Sequence, residues 1–128
     1  KDEAVELLEE NRRKFALDNL TIVPGLAPEA LKELPAPTHV FIGGSSGNLI
    51  CIMEAALEKN PRVRFVINAI ALETVAEALE ALKSLPVTAS DIVTAMIGES
   101  KEIGRYHMMM GQNPVYVISC TGKGEEDE

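Results

Sequence analysis

A short run in the first half of the chain predicts its architecture: Thr38-His39-Val40-Phe41-Ile42-Gly43-Gly44-Ser45-Ser46-Gly47-Asn48-Leu49. The apolar residues before the glycines are typical of a buried parallel strand, because strands covered on both faces lose the alternation of polar side chains. Gly43 and Gly44 allow a sharp turn and the close approach of a ligand to the backbone. A serine of the turn or Asn48 can cap the helix that follows. Open α/β sheets bind ligands beyond the carboxyl ends of their strands, so this turn is the first candidate site.

Composition and charge narrow the class of protein. The chain has 128 residues, 46% of them hydrophobic, and a formal net charge of −8. This length predicts one domain with an aliphatic core. The negative charge disfavours nucleic-acid binding, which needs a basic face. Part of the charge lies in an acidic tail at residues 122–128, to which we assign no chemistry.

The cysteines and the hydropathy pattern indicate a reducing compartment. Cys51 and Cys120 lack the spacing of metal ligands, so we predict two buried, reduced thiols and no metal site. No run approaches the roughly twenty consecutive apolar residues of a membrane span, and we see no charged-then-apolar leader. We therefore expect a cytoplasmic protein.

Hydrophobic periodicity predicts the order of the elements. The pattern predicts helices at 2–17, 27–31, 49–59 and 72–82, strands at 20–23, 38–42, 63–67, 91–97 and 114–120, and a long loop at 98–111. Alternating helices and strands predict parallel βαβ units with right-handed crossovers. The last two strands lack an intervening helix, so we expect an antiparallel pair at the sheet edge. This α/β class, a mostly parallel Rossmann-like sheet with a terminal antiparallel pair, resembles the class I methyltransferases, although fold alone does not establish function.

Several segments carry a more specific resemblance: Gly25-Leu26-Ala27-Pro28-Glu29-Ala30-Leu31, Val40-Phe41-Ile42-Gly43-Gly44-Ser45-Ser46-Gly47, Asn68-Ala69-Ile70-Ala71-Leu72-Glu73-Thr74, and Gly104-Arg105-Tyr106-His107-Met108-Met109-Met110 followed by Gln112-Asn113-Pro114-Val115. In order and spacing they resemble the decarboxylating precorrin methyltransferases of cobalamin (vitamin B12) biosynthesis, of the precorrin-6Y C5,15-methyltransferase type. The similarity covers residues 1–121, which we expect to form a partial methyltransferase domain.

The resemblance implies a class I fold that binds S-adenosylmethionine (SAM). It also implies methylation of a precorrin at ring carbons C5 and C15, or at C15 alone, with loss of carbon dioxide from an acetate side chain. Methyl transfer of this kind needs mainly positioning in a dry pocket, so we assign no catalytic residue. By resemblance, Gly25, Leu26 and Ala27 pass the adenine end of SAM, and Gly43 and Gly44 lie beside its methionine end and the corrin pocket. Leu26 replaces an acid common in the family, so its side chain offers no polar contact to the adenine amine.

Substrate contacts are predicted at the turns and in the loop at 98–111. Ser45 adjoins the glycines, and Asn68 and Glu73 border the loop after the next strand. Arg105 can hold a carboxylate of an acidic tetrapyrrole through two parallel hydrogen bonds, and His107 lies beside it in sequence. Glu73 has an alternative role, because an acid in the first turn stabilises a helix.

Two features of the family are absent from this sequence: the glycine-rich loop after the first strand and the acid at the end of the second. Lys1-Asp2-Glu3 resembles the residues just after that acid, so we expect the chain to be the last two thirds of a domain. The missing strands would lie between the strands at Leu20 and Thr38, leaving apolar sheet edges open. We therefore expect weak SAM binding by this chain alone and a homo-oligomer formed by swapping or re-pairing strands. Two alternatives stay open: a class I methyltransferase for another small molecule, and a non-enzymatic fragment with a role in assembly.

Overall fold

The computed structural model describes residues 1–45 and 47–124, apart from the side chain of Ser90. The chain divides into two compact units, Lys1–Glu33 and Leu34–Glu128. The predicted roles of Ser46 as a helix cap and of residues 125–128 as an acidic tail lie outside the described residues.

The first unit contains helix α1, Asp2–Lys14, and a short 3-10 helix, Glu29–Leu31. Acids occupy the first turn of α1 and bases its last turn, which suits the helix dipole. The helix predicted at 2–17 is shorter in the structure, where it ends at Lys14. The strand predicted at 20–23 is wrong, because these residues have no regular secondary structure. A strand needs a partner for its backbone hydrogen bonds, and the described part of the first unit contains no other strand.

The second unit contains β1 (His39–Ile42), α2 (Leu49–Lys59), β2 (Arg64–Ala69), α3 (Leu72–Ser84), β3 (Val87–Ala95), β4 (Gly98–Ile103), β5 (Tyr106–Gly111) and β6 (Val115–Gly122). Four strands form one sheet in the order β1-β2-β6-β3. β1 and β2 are parallel, whereas β6 is antiparallel to both β2 and β3. The α/β class and the antiparallel pair at the sheet edge are confirmed, although the described sheet is mixed rather than mostly parallel.

The core lies on one face of this sheet. Phe65 of β2 is opposite Cys120 of β6, and Ile67 is opposite Ile118, so these four buried side chains share a face. Helices α2 and α3 contribute further apolar surface. Their buried residues are Leu49, Ile52, Met53, Ala56, Leu57, Ala78 and Ala81. None of the described helices has both the length and the apolar character needed to cross a membrane.

Strand β1 is less buried than its apolar sequence predicts. Only Ile42 is buried, and the side chain of Phe41 is 65% exposed. The reason is that successive side chains of a strand point to opposite faces: Ile42 lies beside the buried Ile67 of β2, whereas Phe41 is on the other face. The expectation of a strand covered on both faces is therefore wrong for β1 in the described residues.

The loop predicted at 98–111 is wrong, because this segment folds as a β-hairpin. β4 and β5 pair in register from Gly98 with Gly111 to Ile103 with Tyr106, and together they form a separate two-stranded sheet. Gly104 has a φ of +62°, a left-handed conformation that favours glycine in a two-residue hairpin turn. Every residue of both strands is exposed, so the usual alternation of buried and exposed positions is absent.

The two cysteines have different environments. Cys51 is exposed, because it falls on the outer side of α2 between the buried residues Leu49 and Ile52, so its predicted burial is wrong. Cys120 is buried in β6 as predicted. Burial disfavours the charged thiolate and raises the pKa of the Cys120 thiol from 9.0 to about 11.

We expect the protein to lose stability between pH 9 and about pH 11 through Cys120. The unfolded thiol ionises near its ordinary pKa of 9.0, whereas the folded thiol stays neutral up to about 11. The stabilisation is complete below the lower value and declines as pH rises, by about 2–3 kcal/mol in total. Urea unfolding of wild type and of Cys120→Ala across this range measures the difference in slope. Cys51→Ala should keep the wild-type slope, and equal slopes for all three proteins would contradict the assignment.

Candidate functional site

Two loops lie side by side at the carboxyl edge of the parallel pair. β1 and β2 are in register from His39 with Arg64 to Ile42 with Ile67, so both strands end at the same edge of the sheet. Gly43 and Gly44 follow β1 directly, and the β2–α3 loop begins after Ala69. The structure therefore brings together the glycine turn and the segment that carries Asn68, as parallel pairing predicts.

The glycines of the turn serve different purposes. Gly47 has a φ of +84°, which strains any residue with a side chain. A Cβ on Gly43 would lie 3.2 Å from Cε1 of the Phe41 ring, so its space is already limited by the protein. A Cβ on Gly44 would meet nothing within 4 Å. Of these three glycines, Gly44 combines an ordinary backbone conformation with open space, which a closely bound ligand can occupy.

Ser45 and Asn48 shape the start of α2. Ser45 is buried, and its carbonyl oxygen accepts a hydrogen bond of 2.9 Å from Asn48 N. Asn48 occupies the N-cap position but makes no side-chain cap hydrogen bond. The predicted capping role of Asn48 is therefore wrong. The backbone amide of Ile50 instead donates to Glu77 Oε1 of α3 at 3.4 Å, a contact that the sequence pattern does not predict.

Asn68 and Glu73 flank the β2–α3 loop. Asn68 is half-buried near the end of β2, and Glu73 is exposed in the first turn of α3. The N-cap residue Ala71 has no side-chain cap hydrogen bond, so the carboxylate of Glu73 supplies favourable charge at this helix end. Both residues therefore lie at the same edge of the sheet as the glycine turn.

The turn predicted to pass adenine belongs to the first unit. Gly25 has a φ of +143°, and the carbonyl oxygen of Leu26 accepts a hydrogen bond of 2.8 Å from Ala30 N. The Leu26 side chain is 81% exposed, and Ala27 is half-buried. A Cβ on Gly25 would lie 2.8 Å from the Ala30 Cβ, so glycine allows the turn to fold back onto the short helix. This turn belongs to the first unit, and the Gly43 turn belongs to the second.

Arg105 and His107 lie on the hairpin. Arg105 occupies the β4–β5 turn with its guanidinium 5.7 Å from the centre of the Tyr106 ring. His107 Nε2 lies 3.4 Å from Glu102 Oε1, and both side chains are exposed. The structure thus places these two predicted residues together, but on a sheet separate from that of β1 and β2.

An open cavity of about 680 Å³ lies away from these turns. Its lining includes Glu54 and Glu58 of α2, Pro61 before β2, and Pro86 before β3. None of the predicted site residues lines it. Within residues 1–45 and 47–124, no three His, Cys, Asp or Glu side chains group in a way that could hold a metal ion.

Comparison with a solved structure of low sequence identity identifies the fold. The chain superposes on a SAM-dependent O-methyltransferase from Thermotoga maritima with a TM-score of 0.67 and 16% identity, over 100% of this chain and 49% of that one. At this identity the likeness concerns the fold alone, which is that of the class I SAM methyltransferases. The predicted fold class is thereby confirmed.

The family is more specific than the class. The family described as "Precorrin methyltransferase domain" matches residues 1–121. The chain therefore belongs to the precorrin methyltransferase family, as the resemblance of its motifs predicts.

Two relatives illustrate the extent of the match. The chain is 34% identical over 120 residues to the probable cobalt-precorrin-6B C(15)-methyltransferase (decarboxylating) of Pyrobaculum calidifontis, covering 93% of this chain and 61% of the relative. It superposes on a crystal structure of precorrin 8W decarboxylase from Methanobacterium thermoautotrophicum with a TM-score of 0.80 and 34% identity, over 93% of this chain and 64% of that one. The chain thus spans about three fifths of the length of these relatives.

Proposed function

We propose that this chain acts in a SAM-dependent enzyme that methylates a cobalt-precorrin at C15 and releases carbon dioxide from the same substrate during cobalamin biosynthesis. The relatives that match over nine tenths of the chain carry this activity in their names. The observation that carries the proposal in the structure is the open space at Gly44, at the carboxyl edge of a parallel strand pair. A precorrin methyltransferase needs room for cofactor and substrate at this edge.

Five residues are proposed to contact the cofactor. SAM supplies an electrophilic methyl group on a sulfonium. Gly43 and Gly44 leave backbone accessible beside its methionine end, and Gly25, Leu26 and Ala27 pass the adenine. The exposed apolar side chain of Leu26 can lie against a flat ring, although it provides no acceptor for the adenine amine. Residues 1–121 are proposed to belong to one partial methyltransferase domain.

The proposed substrate contacts combine the sheet edge with the hairpin. Asn68 can donate and accept hydrogen bonds at the edge, and Glu73 borders the same loop. Arg105 is an exposed cation at a hairpin tip, where it can hold a carboxylate of the tetrapyrrole, and His107 adds a second donor. Cations are needed for such a substrate, because the chain as a whole carries a charge of −8 and repels anions. Ser45, which is buried, is proposed to line the pocket through its position in the turn.

We also propose a cytoplasmic homo-oligomer. The hairpin exposes Ile103, Tyr106, Met108 and Met110, which cross-strand pairing places on one face together with Glu99 and Lys101. A two-stranded sheet is marginally stable in water by itself, so the apolar side chains on this face gain from being covered. Sedimentation velocity tests the assembly, and a monomer at all protein concentrations would contradict it.

The Gly44→Ala substitution tests the proposed cofactor site. The added methyl group enters space that the protein leaves open, so we expect unchanged stability but a KM for SAM raised about tenfold, the effect of overpacking a ligand site by about 1.4 kcal/mol. The measurement is the rate of SAM-dependent methyl transfer at varied SAM concentration, for the wild-type protein and for each variant produced in the same source. Gly111→Ala is the matched control, because a Cβ there also meets nothing within 4 Å, and Gly111 lies on the hairpin. Equal KM values for Gly44→Ala and wild type would remove Gly44 from the site.

A further inference from the structure

Helices α2 and α3 each begin at one of the two loops of the candidate site. α2 starts at Leu49, after the glycine turn, and α3 starts at Leu72, after the β2–α3 loop. The distance between the two loops therefore depends on how the first turn of α2 is held against α3. The buried residues of both helices fix their packing on the sheet, but they leave the polar groups of the first turn to be satisfied separately.

Glu77 of α3 supplies that contact. Its Oε1 accepts the hydrogen bond from Ile50 N at 3.4 Å, and the side chain is half-buried. Ile50 is in the first turn of α2, where backbone amides lack partners within the helix and the helix dipole favours a negative charge. The side chain of Asn48, which occupies the N-cap position, does not cap the helix. The start of α2 is thus held by a carboxylate from the neighbouring helix.

We propose that Glu77 is a positioning residue, which fixes the glycine turn relative to the loop after Asn68. The consequence for cofactor and substrate rests on the function proposed above, whereas the mechanical link does not. Leu49 and Met53 are fully buried, so α2 should remain packed when the link is lost. Loss of the Glu77 carboxylate should therefore loosen the first turn of α2 and displace Gly43 and Gly44 while leaving the fold intact.

Nuclear magnetic resonance of the 128-residue chain tests the link directly. In Glu77→Ala we expect the Ile50 amide to exchange with solvent about tenfold faster, as the loss of a hydrogen bond to a charged group predicts. The amide resonances of Gly43 and Gly44 should shift in the same variant. Glu77→Gln keeps an oxygen acceptor and should restore most of the protection of Ile50. Glu80→Ala is the matched control, because Glu80 is an exposed acid on the same helix. Unchanged Ile50 exchange in Glu77→Ala, or unmoved glycine resonances, would overturn the proposal.

A parallel kinetic measurement separates this proposal from the proposed function. In the protein isolated from its source, Glu77→Ala should raise the KM for SAM with a midpoint of thermal unfolding equal to that of Glu80→Ala, and Glu77→Gln should recover the KM. A raised exchange rate with an unchanged KM would overturn the positioning role. If the wild-type protein transfers no methyl group from SAM, the proposed function fails, and the exchange and resonance measurements still decide whether Glu77 fixes the turn.

Discussion

Replacing Phe65 with alanine is expected to lower the free energy of unfolding by about 3–5 kcal/mol, the typical cost of removing a buried phenylalanine ring. Phe65 is fully buried in β2, where it is paired with Val40 of β1 and Cys120 of β6. The ring therefore fills the core where two strand pairings meet. Truncation leaves a cavity that the surrounding strands cannot close without breaking their register.

Urea unfolding monitored by circular dichroism measures this effect, and Phe41→Ala is the matched control. Phe41 is the same residue type in the neighbouring strand, but its side chain is 65% exposed. We expect its replacement to cost less than about 1 kcal/mol, as is usual for exposed positions. If Phe65→Ala does not fold, Phe65→Leu should fold with a loss of about 1–2 kcal/mol. Equal losses for the Phe65 and Phe41 alanine variants would contradict the described core.

Replacing Gly122 with alanine is expected to destabilise the protein by about 2–3 kcal/mol through overpacking. A Cβ at Gly122 would lie 2.1 Å from the carbonyl oxygen of Pro61 and 2.8 Å from its carbonyl carbon. Both atoms belong to backbone, so the end of β6 and the segment before β2 must move apart. That movement weakens the hydrogen bond from Gly122 N to Val63 O, which is 2.8 Å long.

The same Gly111→Ala variant is the control for Gly122. Both glycines end a strand and neither has a positive φ, but the Cβ of Gly111 enters open space. Thermal unfolding should therefore show a clear decrease in midpoint for Gly122→Ala and almost none for Gly111→Ala. A decrease of equal size in both variants would contradict the contact with Pro61 as its cause, because the effect of alanine on chain entropy is stabilising and Gly111 lacks the close contact.

The elements with strong local signals could be predicted from the sequence. The apolar run before Gly43 forms a strand, as predicted. Helices α2 and α3 begin at the predicted residues Leu49 and Leu72, because the start of the apolar periodicity and the preceding turn indicate the same position. The resemblance carried by the motifs at Gly25, Gly43 and Asn68 also indicated the correct family. In α2 the local pattern and the tertiary environment agree, whereas α3 buries Ala78 and Ala81 and leaves Leu72 and Leu79 exposed.

The failures have a common physical cause, because each depends on a partner that the local pattern does not reveal. Residues 98–111 have no alternation of apolar and polar side chains, since both faces of the hairpin are exposed, and cross-strand pairing alone makes them strands. The apolar run at 20–23 has β propensity without a strand beside it in its unit. Cys51 is exposed because it lies on the outer side of α2, although the nearby Leu49 and Ile52 of the same helix are buried.

The site shows the same limit. The glycine turn could be found from sequence, and parallel pairing correctly placed Asn68 near it. Glu77 could not be found, because its hydrogen bond to Ile50 N joins residues 27 positions apart. The roles of all the proposed site residues stay predictions until binding of the cofactor and the substrate is measured: Gly25, Leu26, Ala27, Gly43, Gly44, Ser45, Asn68, Glu73, Arg105 and His107.

Product analysis with labelled SAM tests the central claim most directly. The protein is isolated from its source, its intact mass and first residues are determined, and it is incubated with SAM carrying an isotopically labelled methyl group and a cobalt-precorrin-6B preparation. We predict one labelled methyl group in the tetrapyrrole and the release of one equivalent of carbon dioxide. SAM turnover without a labelled tetrapyrrole, or no SAM turnover in a protein that folds and binds the precorrin, would contradict the proposed function.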